Sequence, residues 1–210
     1  MIIAIDGPSG VGKGTLAKSL ATHYNLALLD TGLLYRAVGF ICLTNGLDPA
    51  NEDQAFDAAQ KDILEFLKDS RLRTEDVGQA ASKASVHAKV RAHLLDFQRD
   101  FAKHPPKGYD GAILDGRDIG THVLPDADIK FYLVATPDVR AERRFQELKG
   151  KDVATTYLQV LEDIKERDHR DRTRDVNPLR PAENAIILDT TEYSIEEVIK
   201  KSILAIEKQR

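Results

Sequence analysis

The chain has little cysteine: Cys42 is the only one among its 210 residues. One cysteine cannot form an internal disulfide, and its position in the apolar run FICL favours a buried thiol on a helix. No run of about 18 apolar residues is present, so we expect no membrane span. The opening segment MIIAIDG is typical of a strand that enters a loop and lacks the features of a secretory signal, so we expect a cytoplasmic protein.

An excess of charge of one sign is also lacking. The net charge is −4, with 30% charged and 42% hydrophobic residues, which is typical of an ordinary globular chain. This balance predicts no binding of polymeric nucleic acid or of a membrane surface, so any basic site must be local. The six histidines lack metal-ligand spacing. The length fits one domain with small insertions, and nothing favours an oligomer, so a monomer is the default expectation.

Five short apolar runs, each followed by a polar residue, predict the strands of a parallel sheet that is covered on both faces. They are IIAI before Asp6, LALL before Asp30, AIL before Asp115, IKFYLVA before Thr136 and AIIL before Asp189. Helical patterns alternate with these runs, so the predicted fold class is α/β. In open sheets of this kind, ligands bind beyond the carboxyl ends of the strands. The four aspartates Asp6, Asp30, Asp115 and Asp189 fall there.

Two helices have clear start signals. Thr136 is a predicted N-cap with Pro137 at the first helical position. Ser194 and Glu197 predict a capping box at the start of the last helix. Thr31 is a further predicted N-cap, after the second strand.

Two segments interrupt the alternation of strands and helices. From about residue 38 to residue 110 the pattern is helical only, which predicts a helical insertion between strands two and three. Within it, the spacing of Phe56, Ile63 and Leu67 predicts one helix, and Val90, Leu94 and Phe101 predict another. The second segment, residues 143–175, is rich in charges of both signs.

The segment GPSGVGKGT, Gly7–Thr15, follows the first strand and opens a helix. This context favours a P-loop, in which backbone N–H groups and Lys13 surround phosphate oxygens, over a glycine-rich structural turn. The pattern usually has a hydroxyl directly after the lysine, to bind magnesium. Gly14 stands there instead, and Thr15 supplies the hydroxyl one position late.

Three further segments carry groups suited to phosphate chemistry, each with a structural alternative. In DTGLLYR, Arg36 is either a ligand of a second phosphate or a surface arginine beside a helix cap. In DGRDIG, Asp115 is either a Walker-B-like carboxylate near magnesium or part of an exposed salt-bridged turn. In ERDHRDRTR, the apolar stripe of Tyr157, Leu161 and Ile164 continues at helical spacing through Arg167, Asp171 and Arg174. That face is either a phosphate clamp or a solvated surface.

These segments together resemble the nucleoside monophosphate kinases, and specifically the bacterial cytidylate kinases. GPSGVGKGT, LLDTGLLYR, ILDGRDIGT, IKERDHRDRTRD and AIILDTTEYSIEEVI match in order and spacing over nearly the whole chain. The resemblance implies a single three-layer P-loop NTPase domain with a five-stranded parallel sheet. It also implies a CMP-binding insertion at about residues 38–110, a short lid and clamp at about residues 143–175, and a core made of residues 1–37, 111–142 and 176–210.

The resemblance implies ATP-dependent phosphorylation of CMP, and of dCMP, with Mg²⁺ held through waters and nucleotide phosphates and Asp115 as a candidate ligand. The ATP phosphates would contact Gly7, Pro8, Ser9, Gly10, Val11, Gly12, Lys13, Gly14 and Thr15. The CMP phosphate would contact Thr31, Arg36, Arg117 and Arg174. The ribose would contact Asp171, and the base would contact Ser82, Arg91 and Asp118. The catalytic group would comprise Lys13, Asp115, Arg117, Arg167 and Arg170.

Cytosine offers acceptors at O2 and N3 and a donor amine at C4, which an arginine and an aspartate complement. A kinase of the same fold with UMP or AMP as acceptor is the nearest alternative. A GTP-binding switch protein would need an N-K-x-D segment, which the sequence lacks. The segment KDSRLRTEDVGQAAS has little room for a β-hairpin that well-known members of the family carry, so the shape of the insertion is expected to differ.

Overall fold

The computed structural model describes residues 1–209. Five strands form one parallel sheet: β1 (Ile2–Asp6), β2 (Ala27–Asp30), β3 (Ala112–Gly116), β4 (Ile129–Val134) and β5 (Ile186–Asp189). Their order in the sheet is β2-β3-β1-β4-β5. The five apolar runs are therefore strands, and the predicted α/β fold class is confirmed. None of the helices in residues 1–209 is long and apolar enough to cross a membrane.

Eight α-helices lie in the described part of the chain. They are α1 (Lys13–Tyr24), α2 (Thr31–Thr44), α3 (Glu52–Ala59), α4 (Glu75–Ala84), α5 (Ala88–Lys103), α6 (Pro137–Lys149), α7 (Tyr157–Thr173) and α8 (Ile195–Glu207). The predicted cap of α6 by Thr136 and the capping box of Ser194 with Glu197 are both present. A capping box that we did not predict, Thr156 with Gln159, opens α7.

The sheet is covered on both faces because its strands are apolar on both sides. One core cluster joins the sheet to α1 and α8, and includes Ile5, Leu16 and Phe131. A second cluster packs Leu114 and Ile119 from β3 and the turn after it against Ala102 of α5. The edge strand β5 is the exception, since Ile187 is half-exposed there.

The helical insertion has a hydrophobic core of its own, built from α2 to α5. It includes Leu34, Cys42 and Val90, and the Cys42 thiol is buried as predicted. No strand lies between β2 and β3 in the described chain, which confirms the helical-only pattern. This core begins within α2, earlier than residue 38, and the division of the chain into core, insertion and lid stays a prediction.

The prediction of one helix through Phe56, Ile63 and Leu67 is wrong. The helix α3 ends at Ala59, and a turn leads into a short 3₁₀ helix, Ile63–Phe66. All three side chains nevertheless pack against the same core cluster. Their spacing therefore reflects a shared hydrophobic environment rather than one continuous helix. A second 3₁₀ helix, Ser70–Arg73, follows and leads into α4. These two helices occupy the segment in which we expected little room for a hairpin.

Candidate active site

The phosphate loop, residues 7–15, begins where β1 ends and leads into α1. Gly12 stands at the N-cap of α1 with φ = 97°, in the left-handed region that only glycine adopts without strain. No side chain caps this helix, so its first N–H groups are available to bind an anion. The predicted strand–loop–helix context of a P-loop is present.

Lys13 is buried beneath this loop. Its Nζ donates to the carbonyl oxygens of Gly7 and Pro8, both at 2.8 Å. Burial lowers the pKa of Lys13 well below its usual value, Arg117 lowers it further, and Asp115 opposes the shift. An anion bound in the loop would restore the charged form, because it supplies an opposite charge at short range.

Asp115 lies on β3, in register with Asp30 of β2. Its carboxyl is buried, and Oδ1 has no hydrogen-bond partner within residues 1–209. Burial raises the pKa of Asp115 from 3.8 to about 7, and the nearby Asp30 raises it too. The carboxyl faces the space beside Gly14, where an added Cβ would lie 4.0 Å from Oδ2. A buried oxygen without a partner beside a phosphate loop is well suited to a hydrated Mg²⁺, which prefers oxygen ligands and keeps several waters.

The predicted N-cap at Thr31 is wrong. The helix α2 begins at Thr31 itself, and Asp30 occupies the cap position without a side-chain cap bond. The hydroxyl of Thr31 instead donates to the backbone oxygen of Asp115 at 2.8 Å. It therefore joins the start of α2 to the neighbouring strand β3, a long-range contact that local sequence signals do not reveal.

Paired arginines and carboxylates form a buried cluster next to the phosphate loop. Arg117 Nε donates to Asp171 Oδ2 at 2.7 Å, and Arg91 Nη2 donates to Asp118 Oδ2 at 2.5 Å. Arg174 lies 3.4 Å from the other oxygen of Asp118. Burial alone would raise the pKa of Asp171, but Arg117 and its neighbours hold that pKa below its usual value.

These groups line a cavity of about 50 Å³, which we call the acceptor cavity. Seven of the eight residues predicted to contact CMP line it: Thr31, Ser82, Arg91, Arg117, Asp118, Asp171 and Arg174. Tyr35 also lines it, with the Arg91 guanidinium 5.6 Å from the centre of its ring. Sequence reasoning missed Tyr35, although it directly precedes Arg36 in DTGLLYR.

The eighth residue, Arg36, lies outside this cavity. Its Nη1 donates to the backbone oxygens of Leu72 and Thr74. Arg36 instead lines a larger cavity of about 490 Å³, the donor groove, together with Lys13, Asp115 and all of the loop from Ser9 to Thr15. Arg117 and Arg167 line both cavities, so the two are neighbours.

Arg167 and Arg170, the two arginines of α7 that were predicted to be catalytic, have different surroundings. The Nε of Arg167 is buried without a hydrogen-bond partner in the described chain, and burial together with Arg117 lowers its pKa to about 10. Arg170 is bound to α4, where its Nη2 donates to Gln79 at 2.7 Å and its Nε to Ser82 at 3.2 Å. The predicted stripe on α7 extends to Asp171, but Arg174 lies one residue beyond the helix.

A third cavity, of about 380 Å³, adjoins the phosphate loop on the side of β4 and β5. Its lining is mainly apolar and includes Leu133, Tyr193 and Val198, and Arg143 also lines it. Arg143 donates to the backbone oxygen of Thr190 at 2.6 Å. Sequence reasoning did not identify this pocket, because its walls come from separate parts of the chain: the phosphate loop and α1, β4, α6, the segment after β5, and α8.

Asp6 lies at the end of β1, as predicted, but sequence reasoning did not assign it a role. Its two carboxylate oxygens accept N–H bonds from Ile119 and Gly120, at 2.8 and 2.7 Å. Burial raises the pKa of Asp6 from 3.8 to about 6, although these two hydrogen bonds oppose the shift. The carboxylate thus holds the turn that directly follows Arg117 and Asp118.

Comparison with known proteins gives one consistent result. The family model described as "Cytidylate kinase" matches residues 3–208. The chain is 50% identical to the cytidylate kinase of Bartonella bacilliformis, over 93% of this chain and 89% of that protein. It is 48% identical to the cytidylate kinase of Azorhizobium caulinodans over the full length of both chains.

Solved structures share the fold at much lower identity. A gluconokinase from Sinorhizobium meliloti gives a TM-score of 0.53 at 12% identity, over 99% of this chain and 91% of that one. Shikimate kinase from Bacteroides thetaiotaomicron gives 0.50 at 14% identity, over 99% of this chain and 98% of that one.

Proposed function

The chain belongs to the cytidylate kinase family, and we propose that it transfers the γ-phosphoryl group of ATP to CMP, giving ADP and CDP, at the site described above. The observation that carries this proposal is the position of Arg117 and Arg167, which line both the donor groove and the acceptor cavity. A phosphoryl group that passes from one cavity to the other would stay within reach of both guanidinium groups.

On the donor side, the phosphate loop and Lys13 bind the phosphates of ATP. The free N–H groups of the loop and of the first turn of α1 contact the phosphate oxygens, and Lys13 follows the transferring group. The mainly apolar pocket beside Val11, which Arg143 also lines, binds the adenine ring. That pocket lies on the side of β4 and β5, whereas the acceptor residues follow β2 and β3, and β1 stands between the two pairs of strands. The two sites therefore flank the loop, as an extended nucleotide requires.

On the acceptor side, the residues group by the part of CMP that they suit. Arg117, Arg174 and Thr31 contact the phosphate, and Asp171 accepts hydrogen bonds from the ribose hydroxyls; all four line the acceptor cavity. Asp118, held by Arg91 and Arg174, presents a carboxylate to the C4 amine of cytosine. Arg91 donates to the base, Ser82 supplies a hydroxyl, and Tyr35 offers a ring against which the base can pack.

The chemistry needs no side-chain general base. The phosphate of CMP is already largely dianionic at neutral pH, since its second pKa is about 6. The residues therefore bring the two nucleotides into line and neutralise charge. Asp115 would hold part of the water shell of Mg²⁺, which when bound would supply positive charge against the phosphates. Arg167 and Arg170 add positive charge around the transferring group.

Closure of the site is part of this proposal. The acceptor cavity, at about 50 Å³, is far smaller than the roughly 300 Å³ at which ligand pockets begin. CMP therefore needs α4 to move away from α7 and Arg170 to exchange its contacts with Gln79 and Ser82. The same movement in reverse would exclude water, which could otherwise accept the phosphoryl group. Use of dCMP, a monomeric state and a cytoplasmic location stay predictions.

The test is a coupled assay of ADP release with CMP, UMP, AMP or no acceptor. We expect ADP release to be fastest with CMP and very slow without an acceptor. Preference for UMP or AMP would contradict the assignment of Asp118, and equal release without any acceptor would contradict a kinase.

A further inference from the structure

A buried ion pair outside the proposed substrate contacts joins α6 to α7. Arg140 Nη1 and Nη2 donate to the two carboxylate oxygens of Asp168, at 2.9 and 2.5 Å. The Arg140 side chain is 1% exposed and that of Asp168 is 9% exposed. Neither residue lines the donor groove or the acceptor cavity.

The same guanidinium also binds the phosphate loop. Arg140 Nη1 donates to the backbone oxygen of Ser9 at 3.1 Å, and Nε donates to that of Ala135 at 3.0 Å. The loop packs closely here, since a Cβ added at Gly10 would lie 3.3 Å from both the Cβ and the backbone oxygen of Arg140. One side chain therefore links the loop that holds the donor phosphates to the carboxylate of α7.

Asp168 lies in the part of α7 that carries the acceptor-side groups. It directly follows Arg167 and shares the buried face of α7 with Asp171, which is bonded to Arg117. The helix cannot rotate or slide without changing the Arg140–Asp168 contact. The position of Arg167 and Asp171 relative to the loop is thus linked to this ion pair.

Stability does not explain why a buried pair stands here. Removing two charges from water is costly, and replacing a buried ion pair with apolar residues of similar volume is often neutral or even stabilising. A bidentate arginine–carboxylate contact does, however, define distance and orientation more narrowly than apolar packing. The pair is therefore better suited to fixing geometry than to stabilising the fold.

We propose that Arg140 and Asp168 are positioning residues for phosphoryl transfer, which hold the phosphate loop at a fixed distance from the arginines of α7. This inference rests on the proposed function, because it assigns the loop to the donor and α7 to the acceptor. Transfer in line needs the reacting atoms about 3 Å apart, and a displacement of 1 Å can cost on the order of 100-fold in rate. Each nucleotide would still bind to its own half of the site.

The test replaces the pair by apolar side chains of similar volume, in the double variant R140M/D168L. We expect a melting temperature within a few degrees of wild type and KM values for ATP and CMP within about threefold. We expect kcat to fall on the order of 10- to 100-fold. The matched control is K89M/D53L, which removes an exposed ion pair between α3 and α5 and should leave kcat unchanged.

The single variant Asp168→Asn keeps the shape of the side chain and leaves Arg140 bound to Ser9. If the pair acts as a unit, its loss of kcat should approach that of the double variant, because effects within a unit are not additive. If the double variant does not fold, Asp168→Asn alone tests the positioning role.

The outcomes separate the two proposals. An active wild type whose R140M/D168L variant melts normally and keeps kcat would overturn the positioning role. Losses of kcat that follow only the loss of folded protein would overturn it as well. A wild type without CMP-dependent ADP release would instead overturn the proposed function.

Discussion

The phosphate loop and the acceptor cavity are neighbours, but they are built from different parts of the chain. The loop is made of main chain between β1 and α1, and it borders an open groove of about 490 Å³. The acceptor cavity is made of side chains from α2, α4, α5, α7 and the turn after β3, and only about 50 Å³ remains between them. In the loop, backbone donors have few competing partners. In the acceptor cavity, by contrast, Arg91, Arg117 and Arg174 are paired with Asp118 or Asp171.

This difference has a physical consequence for binding. Backbone N–H groups fixed by strand and helix cost little to reorganise when an anion arrives. Buried side-chain charges, by contrast, must be paired with each other unless a ligand takes their place. Donor binding should therefore need little rearrangement, and acceptor binding should need an exchange of partners and a movement of α4.

The largest effect should follow from Lys13→Ala, which removes the one charged side chain of the phosphate loop. We expect kcat to fall on the order of 100-fold or more, because this charge follows the γ-phosphoryl group into the transition state. Thermal unfolding should stay cooperative. Lys107→Ala, at an exposed position, is the control. A folded Lys13→Ala variant with wild-type turnover would rule out the P-loop assignment.

The next largest effect concerns the preference of the acceptor cavity for cytosine over uracil, which we attribute to Asp118. An amide at this position keeps the shape but can present a donor as well as an acceptor. We therefore expect Asp118→Asn to lose kcat/KM for CMP by about 10-fold or more and to lose less for UMP, since a mismatched buried group costs roughly 1–3 kcal/mol. The measurement is the ratio of kcat/KM for CMP to kcat/KM for UMP. Asp126→Asn, at an exposed position, is the control. An unchanged CMP-to-UMP ratio would contradict base recognition by Asp118.

A smaller effect should come from the contact that holds α4 against α6. Arg144 Nη2 donates to Glu75 of α4 at 2.6 Å, and its Nη1 donates to Glu147 of its own helix at 2.8 Å. Glu75→Gln should ease opening and lower the Kd for CMP by about two- to fivefold, since partly exposed pairs contribute up to about 1 kcal/mol.

Glu147→Gln is the matched control, because it removes a partner of the same arginine without crossing between helices. Calorimetry with CMP alone measures both variants. Weaker CMP binding in Glu75→Gln, or equal changes in the two variants, would show that this contact does not restrain opening.

The smallest effect concerns the stability that the folded protein loses by burying the Asp115 carboxylate. Its pKa is raised from 3.8 to about 7 in the folded protein, so the folded state binds this proton more tightly than the unfolded state. The group therefore lowers stability as pH rises from about 4 to about 7, and the cost is fully present above that range.

Asp115→Asn removes this titration. We expect it to raise the melting temperature of the metal-free protein by a few degrees at pH 8 and by less at pH 5. Calorimetric melts at the two pH values measure the difference. An equal shift at both would mean that Asp115 does not titrate in this range.

Most of the sheet and much of the donor site could be predicted, because their signals are local. The apolar runs of three to seven residues become strands that are buried by the layers around them. A glycine-rich loop between a strand and a helix strongly favours phosphate binding. The prediction failed where tertiary contacts replaced a local signal. Thr31 bonds to the backbone of β3 rather than capping α2, and Phe56 and Ile63 pack against one core cluster although α3 ends between them.

The sequence by itself determined the order of strands and helices, the phosphate loop and the family to which the chain belongs, because these depend on residues that lie close together along it. Only the tertiary structure decided which charges meet. Arg140 contacts Ser9 and Asp168, Arg170 contacts α4, and Asp118 lies between two arginines. The hydrogen-bonded partners in these contacts are 27 to 131 residues apart along the chain. A charged side chain carries no local mark of its partner, since its free energy depends on burial and on the opposite charge that folding brings beside it.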